Sequence, residues 1–344
     1  MADPVTPSTQ RLPLLDGMRG IAAIMVMLFH EAGQHGQEQL FDGFLAVDFF
    51  ILLSGYVIAR TYEPRFWAGL GVRQFIWNRS KRLYPLMALG TVIGAFQYWL
   101  GMGWSGLAGM FVLGLLFIPH IGSAYLYPLN TPQWSLLFEF LLNLVHAAVL
   151  HRLGWRCLIA AGAICAAALA VSAQRLGTLN LGFSPALLWI GGFRLAYTYI
   201  VGILLARHFN PAHLNGGAGW RTPLLLLALL ILIPAQLTGS GRWLAQYGII
   251  VAGFPLLLVL ALRTKAPDAA APLLDWLGRM SFPLYAVHLP LLGLAALVAK
   301  ANPDLALPVR LAGVVLALGV AAWLGGTRLG GKPARKAPVR EALA

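Results

Sequence analysis

The sequence predicts an all-α, polytopic membrane bundle, and three observations carry that reading. Hydrophobic residues make up 59% of the 344-residue chain and charged residues 11%, with a mean hydropathy of +0.73, more apolar sequence than a soluble domain of this length needs. The apolar residues gather into runs long enough to cross hydrocarbon. The basic residues collect in the short stretches between those runs, as the positive-inside bias of membrane proteins requires. The formal charge of +13 therefore has a topological explanation, and nucleic acid is not expected as a partner.

Ten runs read as spans: 14–30, 43–59, 83–100, 134–150, 157–173, 185–206, 222–237, 243–262, 282–299 and 305–324. An eleventh, 105–118, holds only 14 residues amid glycines and suits a re-entrant or interfacial segment. Loop charge decides between ten crossings and eleven. With the N-terminus inside and the short run not crossing, the six basic residues of Arg60–Arg82, the groups at 151–156, 207–221 and 263–279, and the tail all fall on the cytoplasmic side. Counting the short run as a crossing would move every later basic loop outside. The expected organisation is a cytoplasmic segment 1–13, a transmembrane domain 14–326, and a basic, disordered cytoplasmic tail 327–344. Residues 1–13 carry Arg11 as their one charged side chain besides Asp3, so no cleavable signal peptide is expected. No internal repeat is visible.

The first span carries Arg19 at its start and His30 eleven residues on. Eleven helical steps make about 1100°, roughly 20° past three turns, so the two share a face about 16 Å apart. An ionisable pair on an otherwise apolar span is expected to face an interior cavity. A cation at one end and a proton acceptor at the other suit a long anionic substrate that reacts at its tip. The second span carries Asp48 near its outer end and the small pair Ser54-Gly55, which permits close backbone approach. Asp48 reads equally as a functional group or a helix-end anchor. The following loop holds Arg79 and Arg82, three apart, either a topology signal or a phosphate site at the inner mouth.

On the fourth span Ser135, Glu139, Asn143 and His146 form a polar stripe. Counting residues from the span ends puts His30, Asp48 and Glu139 at similar depth in the outer half, where a carboxylate would hold the imidazole in one tautomer. Cys157 and Cys165 lie eight apart in one run, too far to bridge within a helix. Arg194 sits mid-way along the sixth span, where an arginine demands an acidic or phosphate partner. On the ninth, Ser281, Tyr285 and His288 form a stripe, and a span beginning at Phe282 would leave His288 too deep toward the cytoplasm to meet His30. No metal-ligand spacing and no glycine-rich phosphate loop occurs, so no metal is expected.

Several of these segments, in this order, resemble the acyltransferase family 3 membrane proteins: Leu15-Asp16-Gly17-Met18-Arg19-Gly20 through Phe29-His30; Val47-Asp48-Phe49-Phe50 through Ser54-Gly55-Tyr56; Arg79-Ser80-Lys81-Arg82-Leu83-Tyr84-Pro85; Pro132-Gln133-Trp134-Ser135-Leu136 with Glu139; and Leu277-Gly278-Arg279 through Leu284-Tyr285, His288 and Pro290. The resemblance implies acyl transfer from cytoplasmic acyl-CoA, usually acetyl-CoA, to a hydroxyl of a carbohydrate or glycan-like acceptor. It implies His30 in the catalytic role, with Arg19, Arg79 and Arg82 on donor phosphates. We expect Glu139 or Asp48 to orient His30, and Ser54 and Tyr285 to lie on the donor's path. Trp134, Ser135, Asn143, Arg194 and His288 are the candidate substrate contacts, with a structural ion pair to Asp48 or Glu139 the alternative for Arg194, and a satisfied core histidine or one lining the donor's path the alternative for His288. Acyl-CoA would be a co-substrate, with no permanently bound cofactor, and the expected location is a bacterial inner membrane. Larger members carry an appended extracytoplasmic domain, so a stand-alone enzyme is expected here. The competing readings are a transporter of a lipid-linked sugar or organic anion, which would turn over no acetyl-CoA, and an assembly subunit of a glycan export complex.

Overall fold

The computed structural model describes residues 12–34, 36, 40–209, 219–232, 236–237, 239–327 and 329. Nearly all of the expected segments 1–13 and 327–344, and residues 233–235 of run 222–237, lie outside the described residues. The regular structure among the described residues is helical: α1 (Pro13–Gly33), α2 (Ala46–Trp67), α3 (Val72–Met102), α4 (Leu107–Leu115), α5 (Gln133–Ala148), α6 (Trp155–Leu176), α7 (Leu188–His208), α8 (Thr222–Leu232), α9 (Gly239–Gly248), α10 (Phe254–Arg263), α11 (Ala271–Ala301) and α12 (Ala306–Gly326). Eight spans among them are long and apolar enough to cross a membrane, α9 and α10 together forming one. The chain is an integral, multi-pass membrane protein. The two other expected spans form shorter helices, α5 of 16 residues and α8 of 11.

Two parallel helix pairs organise the bundle. An added Cβ on Gly17 would strike Leu274 and one on Gly20 would strike Leu277, so α1 and α11 run side by side in one direction. Between α2 and α7 the contacts climb in step: Asp48 with Arg194, Gly55 against the Tyr199 backbone, Glu63 with Arg207. Glycine makes the second pairing close. A Cβ at Gly55 would sit 2.2 Å from the Tyr199 carbonyl oxygen, and one at Gly202 2.3 Å from that of Leu52, so neither position has room for a side chain.

The run 105–118 yields only the nine-residue α4, about 14 Å long and too short to cross. The non-helical chain after it turns back into the bundle, where Leu126, Tyr127, Leu129 and Asn130 are buried. Irregular backbone at that depth must find partners within the protein. It does: Leu126 N–H bonds the Phe183 carbonyl, Asn130 N–H that of Tyr127, and Gln133 N–H that of Asn130. Gly94 of α3 admits this segment, since a Cβ there would overlap the Leu129 carbonyl. Consequently α5 starts inside the bundle, with the Gln133 amide bonded to Thr91 and to the Met87 carbonyl. That is why α5 is short, and why a depth count that begins at the outer surface misplaces Glu139.

At two prolines the carbonyl left without its helical donor is bonded by a side chain from a neighbouring element. Pro290 cannot donate to the Ala286 carbonyl, which takes the Asn130 amide at 2.8 Å. Pro255, just after the π turn Ile249–Gly253, likewise frees the Val251 carbonyl, which accepts from the Tyr197 hydroxyl at 2.9 Å. Exposed tryptophans mark both rims: Trp67, Trp77, Trp155, Trp276 and Trp323 at one end of the bundle, Trp99, Trp104 and Trp189 at the other, as interfacial aromatic belts do. The two cysteines are unbridged, Cys157 exposed and Cys165 buried.

Candidate active site

Two histidines meet between the parallel helices α1 and α11. His288 Nε2 lies 2.9 Å from His30 Nδ1, with ring centroids 5.0 Å apart. This overturns the expectation that His288 lies too deep to reach His30. The helix begins eleven residues before Phe282, at Ala271, because Leu273, Leu274 and Trp276 extend the apolar sequence while Asp275 and Arg279 pair at i and i+4. His288 is therefore seventeen residues into α11, and His30 seventeen into α1. His288 is fully buried, whereas His30 remains partly exposed. His30 is thus the member of the pair that an incoming molecule can reach.

A cleft enclosing about 780 Å³, its open mouth included, approaches the pair from the arginine-bearing end. Arg19, Arg79 and Arg82 line it together, so the three arginines singled out from sequence do converge. Along α2 the lining runs from Ile58 to Val47, eleven residues or about 16 Å. Ser54, Glu139, Ser135, Ser281 and Tyr285 supply its polar wall. The inner end closes at Phe50, Ser135 and Tyr285: the Phe50 and Tyr285 rings meet edge-on with centroids 5.6 Å apart, and the Ser135 and Tyr285 hydroxyls are 2.6 Å apart. The Tyr285 ring lies 6.0 Å from that of His288. The cleft therefore stops one aromatic layer short of the histidines.

Neither carboxylate expected beside His30 is there. Glu139 accepts from Arg79 at 2.7 Å and from the Ser54 hydroxyl at 2.9 Å. Ser54 lies six residues inward of Asp48 on α2, about 9 Å, so Glu139 sits mid-depth rather than in the outer half. Arg79 is consequently neutralised and mostly buried, while Arg82 is exposed at the mouth. Arg19 lies 3.8 Å from Asp16, each with more than a quarter of its side chain accessible.

Asp48 and Arg194 are both fully buried and bonded to each other through Nε and Nη2. The remaining guanidinium donors reach the carbonyls of Leu179, Leu181 and Phe44. With all its donors directed at protein acceptors, Arg194 ties α2, α7 and the 179–181 loop together and does not line the cleft. The arginine within α7 and the aspartate in the first turn of α2 thus explain each other as a structural ion pair, and neither lines the cleft.

Asn143 and Trp134 are likewise structural. Asn143 accepts from the Tyr199 hydroxyl at 2.8 Å, and Trp134 packs into a cradle made by Gly182 and Gly191. His146, last in the α5 stripe, bonds Tyr199 and Glu63, which also holds Arg207. Only the first half of the stripe, Ser135 and Glu139, faces the cleft. Sequence reasoning missed Phe50 and Val47 as lining residues, for which a single sequence carries no signal. It noticed Ser281, whose place in the stripe with Tyr285 was the clue. Among the described residues no group of three His, Cys, Asp or Glu side chains is placed to hold a metal ion.

The arrangement offers an aqueous, cationic mouth for a long anionic molecule, a mostly apolar passage with hydroxyls at its far end, and an imidazole beyond. Comparison with known proteins agrees with that chemistry. The family model described as acyltransferase domain matches residues 12–326. The chain is 33% identical over 160 residues to protein 2 in the picA locus of Rhizobium radiobacter, covering 40% of this chain and 82% of that one. It is 27% identical over 320 residues to the acyltransferase MdmB of Streptomyces mycarofaciens, covering 82% and 79%. With the O-acetyltransferase OatA of Staphylococcus aureus it shares 24% over 319 residues, covering 83% of this chain but about half, 51%, of OatA. No solved structure matches the chain significantly.

Proposed function

The chain belongs to the acyltransferase family 3, and from that premise we propose that it is a membrane O-acyltransferase moving an acyl group, acetyl in the simplest case, from cytoplasmic acyl-CoA to a hydroxyl of a carbohydrate or similar acceptor. The observation that carries the proposal is the line from the arginine-lined mouth through the cleft to the His30–His288 pair. Arg82 and Arg19, the cations not held by Glu139, bind the donor's phosphates. The pantetheine arm lies along α2 past Ser54. Of the paired Ser135 and Tyr285 hydroxyls, the one that accepts from the other keeps its own proton free to donate to the thioester carbonyl as negative charge gathers on its oxygen. Reaching His30 requires the Phe50–Tyr285 contact to open when the donor is bound.

The acceptor comes from the opposite side, toward the end of α1 whose last turns carry His30. His30 removes the hydroxyl proton, the oxygen attacks the thioester carbon, the C–S bond breaks as the C–O bond forms, and the proton passes from His30 to the leaving thiolate. Glu139 acts one step back, holding Arg79 and Ser54 in the cleft wall. Names of relatives support the chemistry: MdmB is an acyltransferase and OatA an O-acetyltransferase. These relatives are bacterial, which favours a bacterial inner membrane.

We propose ten crossings with both ends cytoplasmic. The parallel packing of α2 and α7 supports this, because an odd number of crossings must separate parallel spans. Helices α3, α5 and α6 supply three; α4 as a fourth would have made the pair antiparallel.

The test is turnover by the purified, detergent-solubilised protein: free thiol released from acetyl-CoA, measured against a panel of sugars and other alcohols. Acceptor-dependent release supports the proposal. Absence of release with every donor and acceptor, from protein shown to be folded, refutes it.

A further inference from the structure

We infer that His288 is the positioning partner of His30: it accepts the proton on His30 Nδ1 and thereby presents His30 Nε2, unprotonated, to the acceptor hydroxyl. The consequence for turnover rests on the acyl-transfer reading, whereas the tautomer rests on geometry alone.

His288 Nδ1 lies 2.9 Å from the Leu284 carbonyl oxygen and 3.1 Å from that of Tyr285. Carbonyl oxygens only accept, so Nδ1 of His288 carries the proton. In a neutral imidazole the other nitrogen is then bare, and His288 Nε2 must accept across its 2.9 Å contact with His30 Nδ1. The donor in that contact is His30, which leaves its own Nε2 with a free lone pair. A general base needs that arrangement, and a histidine in the wrong tautomer cannot serve.

The surroundings keep the assignment from relaxing. His288 is fully buried, and the next turn of α11 is set by Pro290, whose freed carbonyl partner at Ala286 is bonded by Asn130. The ring also packs against Tyr285. His288 does for His30 what a carboxylate does in a Ser-His-Asp triad, but without charge. When His30 takes the proton, the Nδ1–H···Nε2 bond strengthens and the pair carries one positive charge until the thiolate removes it.

Two measurements test this. In protein labelled with 15N at histidine, long-range ring couplings report the tautomer, with the His30 signal identified by its loss in His30→Asn. We expect His30 protonated on Nδ1 in the wild-type protein. His30 protonated on Nε2 overturns the inference, whatever the protein catalyses. In the transfer assay, His288→Phe, which cannot accept, should lower kcat on the order of 100-fold, with the donor KM changed less than about twofold. His288→Gln, which can accept through Oε1, should recover at least a tenth of wild-type kcat. Equal kcat for the two variants overturns it. The Nδ1–H tautomer in a protein that transfers no acyl group would uphold the positioning and refute the proposed function instead.

Discussion

Replacing Arg194 with methionine separates a structural arginine from a substrate-binding one. The change leaves the Asp48 carboxylate buried without its guanidinium, a cost of about 3–5 kcal/mol when one member of a buried pair is removed. It also takes a donor from three carbonyls. Leu179 O still accepts from the Leu181 N–H, and Phe44 O from the Ala46 N–H. Leu181 O alone is left bare, adding about 1–3 kcal/mol. The single variant therefore loses roughly 4–8 kcal/mol, close to the whole stability of many domains. Adding Asp48→Leu removes the stranded charge and should recover the first part, leaving the double variant only about 1–3 kcal/mol down. Thermal unfolding of the purified proteins in detergent should rank wild type, then the double variant, then Arg194→Met. Because neither side chain lines the cleft, turnover per folded double-variant molecule should stay within a few-fold of wild type. An Arg194→Met protein as stable as wild type, or a folded double variant without turnover, would refute the reasoning.

Arg82→Ala should raise the donor KM about 10- to 100-fold, the worth of one charge-assisted bond to phosphate, with kcat little changed; an unchanged KM removes Arg82 from the donor site. Arg79→Ala should instead lower stability, because it strands the Glu139 carboxylate, and Glu139→Gln in the same protein should restore part of the loss in a thermal melt. Gly55→Ala should cost about 1–3 kcal/mol, since the new Cβ would press on the Tyr199 carbonyl and prise α2 from α7; a melting temperature equal to wild type would contradict so close a packing. Phe50→Ala joins the cleft to the histidine pair and should raise kcat/KM for butyryl-CoA relative to acetyl-CoA. An unchanged ratio means that Phe50 does not bound the acyl group.

Helix existence was legible because eight of the ten expected runs form helices long and apolar enough to cross, and the short run 105–118 declared itself by being too brief to cross. The convergence of Arg19, Arg79 and Arg82 was legible too, since all lie within a turn or two of span ends on one side. Depth was not. Counting from the first apolar residue assumes that a helix starts at the bilayer surface. Helix α11 starts earlier, its first turns hidden by Asp275 and Arg279, and this brought His288 level with His30. Helix α5 starts deeper, behind a non-helical re-entry that has no apolar signature of its own, and this carried Glu139 away from His30. Asp48 and Arg194 were each visible as charges needing a partner, but their choice of one another depends on α2 and α7 being parallel neighbours, which is a fact of topology and not of either segment.

In the proposed function the His30 imidazole performs the proton transfer for an acyl group arriving along the arginine-lined cleft. Thiol release from acetyl-CoA by His30→Ala, in protein whose melting temperature matches wild type, tests it most directly. The account predicts acceptor-dependent release lower by a factor of about 10²–10⁴ with the donor still bound at near wild-type affinity. Release within a few-fold of wild type would contradict it.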